Sequence, residues 1–315
     1  MLNPNELSFS QELLLAGAAI ETGVISYLHA HPDSKAPIIA NMLNLDERAV
    51  SILLEALTAC GYADSTSSGY RLSTQFSALL YPDSGGEDRF SFLHTYYQLK
   101  RWANLAEVVR SGKPVLQDLT SSSLTGFIHA MRRNSALNVD KIAALVCDGL
   151  TRPFSVLDIG GGPLVHAWAF SRLGATVTIL DTPNTLHMME QDLALNEPIH
   201  LVPGDFNVQL PNGPFDIAYL GNICHIYGPE QNRALFRRVY QSIRPGGRIV
   251  IHDFVRGLSP RAPLFSVNML VSTETGGTWS QEEYFSWLEN AQFSDIVLHD
   301  LGDHQLIIGK RQPQK

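Results

Sequence analysis

Two rhythms of apolar residues divide this chain. From residue 10 to 110 the hydrophobic positions recur three or four apart, as on one face of a helix. Leu13, Ala16, Ile20 and Val24 form one such stripe, with Gly17 beside them allowing a neighbour to pack closely. Residues 34–61 carry two further helical patterns. The second is entered at Asp46, whose side chain suits a helix N-cap, and stopped at Gly61. The segment YADSTSSGYRLS reads as two short strand-like pieces around a Ser/Gly turn. Helix, turn, helix and hairpin in this order predict a winged helix. Residues 90–146 return to helices, broken by a loop at KPVLQDLTSSS and rich in Phe, Tyr, Trp, His and Met.

After Pro153 the rhythm changes. The apolar runs SVLDI, ATVTILD, IHLVPGD, FDIAYLG and GRIVIHD recur with helical stretches between them. Near-continuous apolar strands alternating with helices predict an α/β domain whose mainly parallel sheet is covered on both faces. Ligands of such sheets bind at the carboxyl ends of the strands. The change of rhythm at 140–152 places a boundary between a helical domain at 1–145 and an α/β domain at 146–315.

Composition narrows the function classes. The 315 residues are 44% hydrophobic and 17% charged, the balance of a chain able to bury a core. A formal net charge of −8 argues against a nucleic-acid binder, and the helix beginning at Asp46 is acidic on balance. Cys60, Cys147 and Cys224 are far apart and odd in number, which argues against a disulfide framework or structural zinc and favours a reducing cytoplasm. No apolar stretch is long enough to predict a membrane span, and the N-terminus lacks the basic start of a signal peptide.

The candidate chemistry lies at the ends of the predicted strands. Asp158 and the triplet Gly160, Gly161 and Gly162 end the first, where glycines let a backbone turn and approach a ligand. A dinucleotide fingerprint starting at Gly160 requires glycine at 165, but the residue is Val165, and no P-loop occurs. The second strand ends at Asp181, 23 residues after Asp158, suited to accept from both hydroxyls of a ribose. The third ends at Asp205 and Phe206, an acceptor for an adenine amine beside a ring that can stack. These three junctions suggest an adenosine without a phosphate chain, hence S-adenosylmethionine. His225 follows the fourth strand and Asp253 ends the fifth. A histidine there can take the proton of an acceptor hydroxyl, and the acid can hold its other ring nitrogen. Strand alternation turns the adjacent His252 to the opposite face.

Residues 10–310 resemble the small-molecule O-methyltransferases of the plant caffeate and flavonoid type and their bacterial relatives. The motifs that carry the likeness are LDIGGG, LDTP, GDF, NICHIYGPEQ, IRPGGRIVIHDF and NMLVSTETGGTWSQEEYFSWLENAQFS. The resemblance implies a Rossmann-like class I methyltransferase domain, an N-terminal winged-helix dimerisation domain and a homodimer. It implies that Gly160, Asp181, Asp205 and Phe206 contact the methyl donor, with Gly221 and Asn222 beside them. It implies His225 as general base, Asp253 as the residue that orients it, and Trp102, Met131 and Met269 in the acceptor pocket. The expected acceptor is a small phenol or enol. Two positions depart from the family pattern. Pro163 and Leu164 follow the triplet where Thr-Gly is usual, and Trp279 stands where plant members place a second acid. Leu164 keeps open a non-methylating reaction on the same fold, such as cyclisation, hydroxylation or decarboxylation.

Overall fold

The computed structural model describes residues 7–81, 89–114, 121–136, 138–194 and 197–313. The chain divides into two compact units, Met1–Lys100 with Leu119–Ala130 and Arg101–Asp118 with Met131–Lys315.

The first unit opens with helices α1 (Leu7–Glu21), α2 (Val24–Ala30), α3 (Ala36–Leu43) and α4 (Glu47–Ala59). Asp46 caps α4 as its sequence suggests, its Oδ1 accepting from Ala49 N at 2.8 Å. The antiparallel hairpin β1 (Ala63–Ser65) and β2 (Tyr70–Leu72) follows, then α5 (Thr74–Leu80) and most of α6 (Arg89–Trp102). Ala16, Ile20 and Val24 of the first apolar stripe are buried in one core with Ile39, Leu54, Leu57 and Phe76. Residues 115–120 of the loop expected at 113–123 lie outside the described residues.

The second unit takes in α7 (Leu105–Ser111), the end of α8 (Ser121–Ser135) and α9 (Val139–Cys147) before its sheet begins. This differs from the boundary expected at 145/146. The reason is packing: α9 buries Val139, Ile142, Ala143 and Val146, and it lies against the first sheet helix. The sheet then builds through β3 (Phe154–Ile159), α10 (Val165–Arg172), β4 (Ala175–Asp181), α11 (Pro183–Met189), β5 (Ile199–Pro203), β6 (Phe215–Gly221), α12 (Pro229–Ser242) and β7 (Ile243–Asp253). It closes with α13 (Ala262–Ser272), α14 (Gln281–Asn290), β8 (Phe293–Asp300) and β9 (Gln305–Arg311). Strand order is β5-β4-β3-β6-β7-β9-β8, the first five parallel and β9 antiparallel to both its neighbours.

All five apolar runs read from the sequence are strands of this sheet. The order reverses between β3 and its neighbours β4 and β6, which opens a crevice at their carboxyl ends. Among the described residues, no single helix is long and apolar enough to cross a membrane.

Candidate active site

The turn after β3 is shaped by what surrounds it. Gly160 has φ +72°, a left-handed conformation that favours glycine, and the Ile223 side chain packs against the face where a Cβ would stand. The turn closes when Leu164 N donates to Gly161 O at 2.9 Å. Leu164 is itself left-handed, with φ 65°, and fully buried as it enters α10. Gly162 N donates to Asp181 Oδ2 at 3.0 Å and Thr182 N to Asp181 Oδ1 at 2.7 Å, which ties the ends of β3 and β4 together. Arg132, near the end of α8, grips the same turn: its Nε donates to Pro163 O at 3.1 Å and its Nη2 to Asp192 at 2.7 Å.

Two acids lie close together beneath this turn. Burial first, and then the charge of Asp181, push the Asp158 carboxyl up to about 7. Burial also raises Asp181, against the hydrogen bonds from Thr182, Gly162 and Thr185. Asp205 is exposed and accepts from Asn207 N at 2.8 Å, a local turn. Phe206 is buried and meets the Tyr227 ring edge-on at 5.5 Å. Burial raises the Tyr227 hydroxyl against a hydrogen bond with Asn207, and the charges of Asp205 and Asp181 add to the rise. Nothing beside it in the sequence marks Tyr227 for this place. Gly221 ends β6, where a Cβ would lie 2.7 Å from the Tyr219 ring, an approach that explains glycine there. Asn222 follows with φ 59°, its N–H bound to His252 O at 2.9 Å.

The structure brings His225 and Asp253 into direct contact. His225 lies in a 3-10 turn, Cys224–Ile226, directly after β6, and Asp253 is the last residue of β7. Both are buried, and His225 Nδ1 is 2.6 Å from Asp253 Oδ1. Asp253 Oδ2 accepts from the backbone N of His225 at 3.1 Å, and Oδ1 accepts from Phe254 N at 2.8 Å. Burial opposes the Asp253 charge, yet the His225 charge and these hydrogen bonds hold its carboxyl below the ordinary range. A carboxylate on Nδ1 fixes the proton there and leaves Nε2 as the basic nitrogen. His252 turns the other way, with Nδ1 2.9 Å from the Tyr219 hydroxyl.

The segment after α13 straps the His225 turn. Gly277 N donates to His225 O at 2.9 Å and Trp279 Nε1 donates to Cys224 O at 3.0 Å. Directly beyond Trp279, Ser280 and Glu283 exchange hydrogen bonds as a capping box that starts α14 and anchors the strap. From the sequence, Trp279 is a missing acid and an added aromatic wall. Its indole N–H, one of the few donors that can reach a buried carbonyl from an aromatic ring, was the available signal.

The expected acceptor residues are distributed over three helices. Met269 is buried on α13, and Trp102 Nε1 donates to Asn268 Oδ1 at 3.2 Å on the same helix. Met131 is half-buried on α8, directly before Arg132. Phe265, also on α13 and not anticipated, meets the His225 ring edge-on at 4.7 Å.

Residues 116–294 match the family described as O-methyltransferase domain. This chain belongs to the O-methyltransferase family. It is 27% identical over 309 residues to the S-adenosyl-L-methionine-dependent methyl transferase PigF of Serratia sp., covering 89% of this chain and 87% of that protein. It is 28% identical over 301 residues to the 3-hydroxy-5-methyl-1-naphthoate 3-O-methyltransferase of Streptomyces sahachiroi, covering 89% and 85%. The solved structure of PigF with SAH superposes with a TM-score of 0.76 at 24% identity, over 98% of this chain and all 100% of that one, a likeness of fold. In this chain the strand-end acids, the glycine turn and the His225–Asp253 contact all fall in the second unit.

Proposed function

We propose that this O-methyltransferase family member transfers a methyl group from S-adenosylmethionine to a hydroxyl of a small phenolic or enolic acceptor, with His225 as general base. The contact between His225 Nδ1 and Asp253 Oδ1 carries this reading. The residues present fit the donor. The Gly160 turn offers bare backbone, and Asp181 ends β4 with a carboxylate that retains acceptor capacity beyond its two N–H partners. The raised Asp158 beside Asp181 suits a site that receives hydroxyls and an ammonium group rather than phosphates. Asp205, Phe206, Gly221 and Asn222 would complete that side, with Gly161 and Gly162 in the turn. When bound, the donor supplies an electrophilic methyl group on a sulfonium.

The chain's own residues do the rest. A phenol titrates near pH 10 and histidine near 6.5, so outright proton transfer before attack is unfavourable by about 5 kcal/mol. His225 therefore takes the proton from the acceptor hydroxyl as the new bond forms, at Nε2. Asp253 steadies the imidazolium as it develops. The Gly277 and Trp279 hydrogen bonds hold the turn that aims the ring. Holding the acceptor oxygen in line supplies much of the acceleration. Met131, Met269 and Trp102 contribute apolar surface for the acceptor.

His225→Ala should abolish transfer of labelled methyl while leaving S-adenosylmethionine binding unchanged by calorimetry. Retained transfer would remove His225 from the role. A second reading rests on Leu164, whose buried side chain occupies the turn where the resembling enzymes carry glycine: a non-methylating reaction on the same fold. Absence of donor binding to the unaltered protein would favour it. The assembly we propose is a homodimer through the first unit, a winged helix in the cytoplasm. The exposed Ile38, Met42 and Ile52 of α3 and α4 support it, and sedimentation tests it.

A further inference from the structure

Helix α13 presents one face with three residues at i, i+4 and i+7: Phe265, Met269 and Ser272. The first meets the His225 ring edge-on, which places this face along the proposed acceptor site. At the far end of the face stands a cation. Arg101 Nη1 donates to Ser272 Oγ at 3.4 Å, about 10 Å along the helix from Phe265 at 1.5 Å per residue. The neighbouring Trp102–Asn268 bond fixes the end of α6 against the same helix.

Arg101 is half-buried, and its guanidinium meets a neutral hydroxyl at long range. Among the described residues no carboxylate faces it, and burial alone draws its guanidinium below the usual range. Arg132, a half-buried guanidinium of the same unit, is by contrast bound to Asp192 and to a backbone carbonyl. A guanidinium removed from water without an anion is costly, and its planar fork matches a carboxylate in two hydrogen bonds.

We propose that Arg101 binds a carboxylate of the acceptor, so that the substrate is an aromatic hydroxy acid with its acid group at the end remote from His225. The proposal rests on the methyl-transfer reading for the identity of the site. The hydroxynaphthoate in the name of the Streptomyces sahachiroi relative is of the same chemical class.

The test is equilibrium binding of a matched pair, 6-hydroxy-2-naphthoate and 2-naphthol, to the full chain with and without SAH. The acid should bind tenfold or more tightly than the naphthol, the scale of one charge-assisted hydrogen bond. Arg101→Met should erase that preference while leaving 2-naphthol and SAH affinities in place, and Arg101→Lys should restore part of it. Equal binding of the two probes by the unaltered protein, or binding of neither, overturns the proposal. So does an Arg101→Met variant that loses both probes equally, the mark of a packing role. Failure of SAH to bind would count against the donor reading, whereas the preference for the acid is read separately in its absence.

Discussion

His225 and Asp253 make two contacts with each other, not one: the carboxylate takes Nδ1 at 2.6 Å with Oδ1 and the histidine's own backbone N–H at 3.1 Å with Oδ2. The acid therefore sets both the ring's tautomer and the position of the turn that carries it. Asp253→Asn keeps the shape but offers an amide where a carboxylate should face Nδ1–H. Turnover should fall about a hundredfold or more, with SAH affinity changed little. Isothermal titration beside initial rates separates the two, and a loss of SAH binding to the same degree would indicate collapse of the strand end.

Trp279→Phe removes the indole donor from Cys224 O and leaves the aromatic packing on Trp287. A neutral hydrogen bond contributes about 1 kcal/mol. Turnover should drop roughly fivefold with a shifted pH–rate profile, while the melting temperature moves little. Unaltered kinetics would show that the Gly277, Asp253 and Asn232 hydrogen bonds secure the turn without the indole.

Leu164→Gly sets two effects against each other. Glycine relieves a left-handed leucine, a gain of about 1–2 kcal/mol, yet it deletes a fully buried side chain, a loss of about 2–5 kcal/mol. The cavity should dominate, and urea unfolding should show a net loss of about 1–3 kcal/mol. A stabilised variant would mean that the turn stores strain.

The opposite face of the sheet predicts acid sensitivity. Burial lowers His252 to about 3 and His166 to about 4, so both are neutral in the folded chain. Between those values and the unfolded value near 6.5, the unfolded chain binds more protons. Stability there rises with pH, is fully present above about 6.5, and is lost as pH falls toward 3–4. His252→Gln keeps a partner for the Tyr219 hydroxyl and should flatten the dependence seen by urea unfolding between pH 4 and 7. An unchanged slope would place the acid sensitivity elsewhere.

Much of this arrangement was legible from single residues because each does local work. Asp46 caps its helix, and the five parallel strands announce themselves as apolar runs, three of them ending in an aspartate. The positions of His225 and Asp253 at neighbouring strand ends already imply that they meet. What escaped the reading depends on long-range contacts. Arg132 reaches the Pro163 carbonyl across 31 residues, and Trp279 reaches Cys224 across 55. Nothing near either residue in the chain marks its partner. The packing of α9 is hidden for a related reason: it has the same helical pattern as its predecessors, and only the surface it buries shows that it lies against α10.

Strand β9 enters the sheet between β7 and β8, pairing Gln305 with Asp253, and Gln305 Oε1 accepts from Val255 N at 3.0 Å. The strand that carries Asp253 is therefore an open edge for as long as residues 305–311 are unmade. During synthesis the histidine, the acid and the glycine turn all emerge earlier than the segment that completes their surroundings. A nascent chain can hold every candidate catalytic group and still lack a finished site, which makes this part of the molecule a late step of its own biogenesis.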